Sequence, residues 1–358
     1  MFLSSPLALR VCAALVCAFV CAYGLTPSVG ALAERVHAVD LPGEERKIHK
    51  RAVPRLGGIA ILAAFFAALL SFSRADAALS AVLRAALLIA LMGAADDCFT
   101  LRSPLKLAVQ LIASLLAWRG GARIEVLGLP FSGAARFVRV EALSLPLTLL
   151  WLTACTNALN LIDGLDGLAA GVAAIASGSM LLIAAALGEA EIAVFLAALA
   201  GACLGFLPFN RSPARIFMGD VGSQLLGFLL GAAALLGMFK SHALLSVFAP
   251  LLALGLPLGD TAFAFLRRAL RGQNPLQADR GHIHHRLLDA GLGQKRVVLL
   301  LYGLSGVLGL LAVAVAERGR AARSLGFAVM TVAAGTALAL LRRRAMMRKK
   351  RRRGASSL

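Results

Sequence analysis

The chain has 358 residues, of which 59% are hydrophobic and only 15% are charged, and its formal net charge is +19. Because soluble globular domains carry about 25% charged residues, this composition excludes an ordinary soluble protein. The basic residues lie in loops and in the C-terminal run RRRAMMRKKRRR rather than on a soluble domain that could hold a duplex. We therefore expect no nucleic-acid partner, and contact between the tail and anionic membrane lipids.

The apolar residues form blocks of about 20 residues, the length of a helix that crosses the hydrocarbon core of a bilayer. Such blocks must be helical, because lipid offers no hydrogen-bond partner to a free backbone amide. The sequence therefore predicts an all-α, polytopic integral membrane protein with about eleven transmembrane helices. In chain order they lie near Leu7–Leu25, Gly57–Phe72, Ala77–Leu91, Pro104–Ala117, Leu143–Cys155, Gly167–Leu187, Ile192–Leu207, Ser223–Phe239, Ala243–Leu266, Val297–Ala316 and Ser324–Leu341.

Lys and Arg residues are concentrated in the connecting segments that would lie on the same side as the C-terminus. The positive-inside rule makes that side the cytoplasm, and an odd number of spans leaves the N-terminus outside. We expect residues 1–341 to form a single transmembrane domain and residues 342–358 a basic cytoplasmic tail. Ala31-Leu32-Ala33 resembles a signal-peptide cleavage site. Cleavage would leave the basic stretch Arg46–Arg55 outside, so we expect the first span to be retained.

Two further features predict local structure. The largest outer segment, IEVLGLPFSGAARFVRV (residues 124–140), alternates apolar and polar residues around a turn and predicts a β-hairpin. The six cysteines form no C-x-x-C pair and mostly lie in apolar blocks, so we expect neither a disulfide nor a zinc site.

Polar motifs occur in the inner segments and have no counterpart in the outer ones. They are RKIHKRAVPRLGG (46–58), GAADD (93–97), NALNLIDGLDG (157–167), RIFMGDVGS (215–223) and DRGHIHHRLLDAG (279–291). Five such motifs on one side of the membrane by chance would be improbable. We therefore predict that they assemble one site at the inner face.

Several carboxylates have both a functional and a structural interpretation. Asp96 and Asp97 end an apolar helix, where they suit a hard cation or a proton acceptor, or simply a polar end to the span. Asp220 precedes an apolar block and by itself also suits a helix N-cap. Asp260 lies deep in an apolar run, where an ionisable residue is a functional candidate or a buried partner for Arg267 or another base.

The third motif combines two amides with two carboxylates. Asn157 and Asn160 lie three residues apart, as do Asp163 and Asp166, so each pair shares a face if the segment is helical. An Asx-turn with an N-cap is the structural alternative, but it explains one of these residues rather than all four.

The fifth motif places His282, His284 and His285 between Arg280 and Arg286. No cysteine lies nearby, and zinc prefers closed nitrogen and sulfur ligation, so phosphate contacts are favoured over a metal. Carboxylates and amides together with fixed cations suit a magnesium diphosphate, because an attacking phosphate would otherwise be repelled.

These five motifs, in this order from residue 46 to about residue 302, resemble those of the polyprenyl-phosphate N-acetylhexosamine-1-phosphate transferases. The resemblance implies a catalytic membrane domain that transfers a HexNAc-1-phosphate from a UDP-HexNAc to undecaprenyl or another polyprenyl phosphate and releases UMP. It implies a Mg²⁺ cofactor, with Mn²⁺ as an alternative, and a bacterial cytoplasmic membrane with the active site facing the cytoplasm. The lipid-linked product would prime the synthesis of cell-envelope polysaccharide such as lipopolysaccharide. Homodimerisation is left open.

The resemblance also implies roles for individual residues. Asp220 and Asn160 would bind the metal, and Asp96 would be the base for the lipid phosphate, with support from Asp97. The remaining roles are catalytic or nucleotide contacts for Asp163 and Asp166, phosphate or nucleotide binding for Asn157, His282, His284, His285, Arg280 and Arg286, lipid-phosphate contacts for Lys50 and Arg51, and a supporting role for Asp260. Direct transfer and a phosphoryl-aspartate intermediate are both compatible with the motifs.

Two departures from the family pattern bear on the substrate. The branch that uses UDP-MurNAc-pentapeptide tends to have three consecutive aspartates and three consecutive histidines. This chain has Ala95-Asp96-Asp97 and His282-Ile283-His284-His285, which favour UDP-GlcNAc. Phospho-MurNAc-pentapeptide transfer is the alternative within the family. Outside it, the alternatives are a proton- or sodium-coupled secondary transporter, which commonly places charges near the membrane midplane, and an inactive scaffold of the same fold.

Overall fold

A computed structural model of the protein describes residues 6–40, 52–129, 136–238, 245–272 and 281–317. The helices are α1 (Pro6–Arg35), α2 (Gly58–Phe72), α3 (Ala77–Phe99), α4 (Ser103–Arg119), α5 (Ser144–Ile162), α6 (Leu168–Ala186), α7 (Ala190–Asn210), α8 (Gly219–Ala233), α9 (Leu245–Ala253), α10 (Gly255–Ala269), α11 (Ile283–Asp289) and α12 (Gln294–Glu317). A 3₁₀ turn, Glu141–Leu143, precedes α5, and a π-helical segment, Ala234–Met238, follows α8. The strands are β1 (Val39–Asp40), β2 (Val53–Pro54), β3 (Val126–Leu129) and β4 (Arg136–Arg139).

Within these described ranges, seven helical segments are long and apolar enough to cross a membrane, and α2 is a shorter apolar helix. The chain is therefore a multi-pass, predominantly helical membrane protein. The predicted span Ser324–Leu341 and the basic tail lie outside the described residues. The count of about eleven spans and the orientation of the termini stay predictions.

The structure describes the predicted span near Ala243–Leu266 from Leu245 onwards. The described part of this segment is divided into α9 and α10, with Leu254 between them. Pro257 lies in the first turn of α10, where its missing N–H leaves the carbonyl group one turn earlier without its helical partner. Gly255 at the start of α10 adds backbone freedom at the same point.

The first helix packs closely along α7. A Cβ atom added at Gly201 would lie 2.2 Å from the Leu15 carbonyl oxygen, and one at Gly205 would lie 2.3 Å from the Phe19 carbonyl oxygen. Small residues allow two membrane helices to approach at backbone distance, so the glycines create this contact. Helix α1 continues without a break through Ala31-Leu32-Ala33.

Two short antiparallel ladders accompany the helices. Strands β3 and β4 pair with Val126 opposite Arg139, which confirms the predicted hairpin within residues 124–140. Strands β1 and β2 pair with Val39 opposite Pro54, a ladder that the all-α prediction did not include. All six cysteines are free thiols.

Helix α8 is the central element, and every residue from Val221 to Ala233 is buried. Glycines bring it to backbone distance from two neighbours: a Cβ atom at Gly93 of α3 would lie 2.5 Å from Val221 Cα, and one at Gly227 of α8 would lie 2.3 Å from the Cys155 carbonyl oxygen of α5. As a result, the start of α8 lies beside the end of α3, and the polar motifs at these helix ends can meet.

Candidate active site

Lys106 joins the second and fourth motifs. Its Nζ atom donates to Asp96 Oδ2 at 3.0 Å and to Asp220 Oδ2 at 3.1 Å. Asp96 lies in the last turn of α3, Lys106 in the first turn of α4 and Asp220 in the first turn of α8. The second oxygen of Asp96 accepts from the backbone N–H of Leu101 at 2.6 Å. Two carboxylates from distant parts of the chain therefore share one ammonium group.

Asp97 holds the N-terminus of α8. Its Oδ1 and Oδ2 atoms accept the backbone N–H groups of Asp220 at 3.0 Å and Val221 at 3.1 Å, and Arg55 Nη2 lies 3.3 Å from Oδ1. Helix α8 begins after Met218, whose side chain makes no capping bond, so the carboxylate of α3 satisfies N–H groups that a local cap would otherwise take. The N-cap interpretation of Asp220 is therefore wrong, because Asp220 lies inside the first turn and Asp97 provides the cap.

Gly219 makes this arrangement sterically feasible. Its φ of +73° favours glycine, and an added Cβ atom would lie 2.2 Å from Asp97 Oδ2. Gly219 of the FMGD sequence thus leaves the space that the Asp97 carboxylate of the GAADD sequence occupies. Neither motif shows this dependence when it is taken alone.

Asn160 and Asp163 lie at the C-terminal end of α5, close to Asp220. The Asn160 side chain hydrogen-bonds Asp220. Asp163 is the C-cap of α5. Burial, followed by the negative charges of Asp220, Asp97 and Asp166, raises the pKa of Asp163 to about 8. This end of the bundle is therefore crowded with carboxyl groups.

Hydrogen bonds of Asp166 and Asn210 connect the turn before α6 to the segment before α8. Asp166 Oδ2 accepts from the backbone N–H of Ala214 at 3.1 Å. Asn210 accepts from the Gly167 N–H at 3.1 Å and donates to the Ile216 carbonyl at 3.0 Å. The Asx-turn and N-cap alternative is wrong here, since the N-cap of α6 is Gly167 at a φ of +78°. Asp166 contacts backbone across the site instead.

The histidines of the fifth motif lie against the third motif. A Cβ atom added at Gly164 would lie 2.4 Å from His284 Nε2, so only glycine leaves room for that ring. The His284 ring is 1% exposed, and both of its nitrogens lack a hydrogen-bond partner in the described part of the chain. Burial and the neighbouring His285 lower the pKa of His284 to about 4, so the ring is neutral near pH 7.

Asp260 orients the first histidine of this group. Its Oδ2 atom lies 2.9 Å from His282 Nδ1, and its Oδ1 atom accepts from the Ile283 N–H at 2.8 Å. Because a carboxylate only accepts, Nδ1 carries the proton and Nε2 is left for another partner. His282 is therefore the buried base that pairs with Asp260, while Arg267 Nη1 donates to the Gly281 carbonyl.

Not every predicted site residue can be placed. Lys50, Arg51 and Arg280 lie outside the described residues. The Arg286 guanidinium lies 5.6 Å from the ring centroid of Phe263. Asn157, predicted to contact the nucleotide or phosphate, is bonded instead to Gln110 and to the Thr153 carbonyl.

Four residues of the site were missed by the sequence reasoning: Arg55, Lys106, Gln110 and Gln224. From the sequence alone, Lys106 lies at the end of a predicted span, where a lysine can simply extend towards water. Its position in the first turn of the helix after the GAADD motif was the usable signal, because that turn begins at the membrane surface where the motif ends. The two glutamines lie inside apolar blocks, where a buried amide needs a partner.

The donor set fits a divalent cation that arrives with its own phosphate ligands. Across the described ranges, no group of three or more His, Cys, Asp or Glu side chains can hold a metal ion by itself. The site nevertheless gathers more carboxylates than cations: Asp96, Asp97, Asp163 and Asp220 against Lys106 and Arg55. Magnesium is usually held by one or two carboxylates together with substrate phosphates. This excess of carboxyl groups over cations is consistent with such an ion.

Comparison with known proteins identifies the family. The profile of glycosyl transferase family 4 matches residues 79–238. A probable undecaprenyl-phosphate N-acetylglucosaminyl 1-phosphate transferase of Bacillus subtilis is 38% identical over 279 residues, which cover 78% of this chain and 77% of the relative. A decaprenyl-phosphate N-acetylglucosaminephosphotransferase of Mycolicibacterium smegmatis is 36% identical over 350 residues, which cover 89% and 86%. A phospho-N-acetylmuramoyl-pentapeptide-transferase of Halalkalibacterium halodurans is 32% identical over 285 residues, which cover 74% and 83%. The chain therefore belongs to glycosyl transferase family 4, the polyprenyl-phosphate N-acetylhexosamine-1-phosphate transferases.

Proposed function

We propose that this enzyme transfers GlcNAc-1-phosphate from UDP-GlcNAc to undecaprenyl phosphate at the cytoplasmic face of the bacterial inner membrane. An oxygen of the lipid phosphate forms a bond to the sugar-linked phosphorus, the bond from that phosphorus to UMP breaks, and UMP leaves. The observation that carries the proposal is the meeting of Asp96, Lys106 and Asp220 from three separate helix ends. The lipid-linked product would then prime cell-envelope polysaccharide, lipopolysaccharide included.

The choice of GlcNAc rests on two independent supports. The relatives from Bacillus subtilis and Mycolicibacterium smegmatis carry N-acetylglucosamine transferase names, and they are 38% and 36% identical to this chain. The sequence His282-Ile283-His284-His285 and the single pair Asp96-Asp97 also depart from the MurNAc-pentapeptide pattern. Phospho-MurNAc-pentapeptide transfer is the second candidate, supported by the 32% identical relative of that name.

Asp220 with Asn160 would hold Mg²⁺, with Mn²⁺ as the alternative ion. When bound, the ion would neutralise charge on the diphosphate. The chain's own contribution begins with Lys106, which offers a fixed positive charge where the attacking phosphate arrives. Asp96 would accept the proton of the lipid phosphate. Its two oxygens are held by hydrogen bonds from Lys106 and from the Leu101 N–H, and a carboxylate fixed in this way suits a proton acceptor better than a nucleophile that must turn towards phosphorus.

His284 would add a phosphate contact without adding a positive charge. With its pKa lowered to about 4, His284 is neutral at pH 7 and can donate one N–H to a phosphate oxygen. Asp260 would hold His282 so that Nε2 faces the substrate. Lys50, Arg51, Arg280 and Arg286 would add cationic contacts to the lipid phosphate or the diphosphate.

Membranes that contain the protein should convert labelled UDP-GlcNAc and undecaprenyl phosphate into a lipid-diphosphate sugar and an equal amount of UMP in the presence of Mg²⁺. UDP-GalNAc and UDP-MurNAc-pentapeptide, tested in parallel, identify the sugar. Absence of product with all three sugars overturns the proposal, and ion-coupled uptake into vesicles without UMP release would favour a transporter.

Asp96→Asn and Asp220→Ala should abolish product formation. Asp76→Asn is the matched control, because Asp76 caps the opposite end of α3 by accepting from Leu79 N–H and asparagine caps equally well. Full complementation of a transferase-deficient strain by both site variants would instead indicate a scaffold. A covalent adduct on an aspartate, found by mass spectrometry after incubation without lipid acceptor, would replace direct transfer with a two-step reaction.

A further inference from the structure

A line of buried amides leads away from Asp220. Gln224 Nε2 donates to Asp220 Oδ2 at 2.8 Å, and Gln110 Nε2 donates to Gln224 Oε1 at 2.8 Å. Asn157 Nδ2 then donates to Gln110 Oε1 at 2.7 Å and to the Thr153 carbonyl at 2.8 Å. We call Gln224, Gln110 and Asn157 the amide relay. It connects α8, α4 and α5 through side chains alone.

The relay has a fixed direction. The Thr153 carbonyl can only accept, so the Asn157 amide must present its nitrogen towards it. The same nitrogen faces Gln110 Oε1, which leaves Gln110 Nε2 to face Gln224 Oε1. Gln224 must then present its nitrogen, and not its oxygen, to the Asp220 carboxylate.

The relay is buried where an unpaired amide is costly. Gln110 is 2% exposed and Gln224 is 1% exposed. Leu107 and Leu111, on either side of Gln110 along α4, are 41% and 38% exposed, so the helix turns its leucines outwards and its glutamine inwards. The buried face of α4 contains, besides Gln110, only the small residues Ala113, Ser114 and Ala117 within the described chain. A buried amide that loses its partner is left desolvated without a hydrogen bond, so the loss of one relay contact disfavours the arrangement of the next side chain.

We infer that Gln110 is a positioning residue for Asp220: through Gln224 it fixes the orientation of the carboxylate that Lys106 shares with Asp96. The inference rests on the proposed function, in which Asp220 acts in transfer. Gln110 itself lies two side chains away from Asp220. Its effect on the Asp220 carboxylate therefore passes through Gln224.

This dependence predicts a specific pattern for three variants assayed with UDP-GlcNAc and undecaprenyl phosphate. Gln110→Met keeps the side-chain length but removes the donor to Gln224, and should lower kcat/KM roughly tenfold, as losses of supporting partners commonly do. Gln224→Met should have a similar effect. The double variant should show one roughly tenfold loss in kcat/KM and not two. Once Gln224 is replaced, Gln110 can no longer act on Asp220 through it, so the second substitution adds little.

Thermal stability is measured alongside kcat/KM. If Gln110 had only a structural role, the two quantities would fall and recover together. Gln110→Met leaves Gln224 Oε1 buried without its donor and should lower the denaturation midpoint of the detergent-solubilised enzyme. The double variant removes both partners and should regain much of that loss, while kcat/KM stays low. Ser114→Ala is the matched control on α4, since its hydroxyl bonds only the Gln110 backbone carbonyl.

Each outcome decides. The inference is overturned if Gln110→Met keeps kcat/KM within twofold of the parent, if the two losses multiply, or if kcat/KM recovers together with the midpoint. An inactive parent enzyme would overturn the proposed function instead, so the two failures are distinguishable.

Discussion

The Lys106 ammonium lies 3.0 Å from Asp96 Oδ2 and 3.1 Å from Asp220 Oδ2, and its side chain is only 26% exposed. Replacing it in Lys106→Met keeps most of the aliphatic volume and removes the charge. Asp96 and Asp220 would then face one another without the cation between them. The incoming lipid phosphate would also lose a fixed positive charge.

The expected size follows from the two hydrogen bonds that are lost. A hydrogen bond to a charged group contributes about 1.5–3 kcal/mol, so two contribute about 3–6 kcal/mol. Since each 1.36 kcal/mol is about a tenfold change in rate, kcat/KM should fall by roughly 10²- to 10⁴-fold if the bridge is needed in the transition state. Lys106→Arg should recover part of the loss, because it keeps the charge but not the compact geometry of an ammonium.

The assay measures UMP release and lipid-diphosphate sugar from purified protein in detergent, over a range of UDP-GlcNAc concentrations. Lys295→Met, which removes an exposed lysine near the start of α12, is the control for charge loss and should match the parent. The denaturation midpoint tests whether each variant is folded. A folded Lys106→Met enzyme with kcat/KM within threefold of the parent would refute the bridging role.

Three further predictions concern the neighbouring contacts. Asp97→Asn cannot accept both backbone N–H groups at the start of α8, including that of Val221 at 3.1 Å, and should lower stability by about 1–3 kcal/mol; a denaturation midpoint equal to that of Asp76→Asn would contradict this. Gly164→Ala would place a methyl group 2.4 Å from His284 Nε2 and should reduce transfer activity, and unchanged kinetics would show that the ring moves freely. Because folding lowers the pKa of His284 from 6.5 to about 4, the unfolded chain binds more protons between these values. This contribution to stability is therefore complete above pH 6.5 and is lost as the pH falls towards 4, and His284→Gln should remove that part of the midpoint's pH dependence.

The sequence by itself determined that the chain is a helical membrane protein and which segments carry its chemistry. Apolar runs of about 20 residues have few other solutions in lipid, because the backbone must satisfy its own hydrogen bonds. The Asp96-Asp97, Asp163 and Asp220 motifs were visible because charges at the ends of such runs are expensive and rarely accidental. The alternating segment around Val126 likewise specified its hairpin, since period-two alternation is a local property.

Only the tertiary structure decided which partner each of these polar residues contacts. Asp97 caps α8 and Asp260 holds His282, whereas local interpretation offered Asp220 as a cap and left the partner of Asp260 open between Arg267 and another base. The line from Asn157 through Gln110 to Gln224 joins three helices whose residues lie 47 and 114 positions apart, so no local pattern could show it. Sequence periodicity reports which face of a helix is apolar, but the partner of a buried polar group depends on how the helices pack against one another.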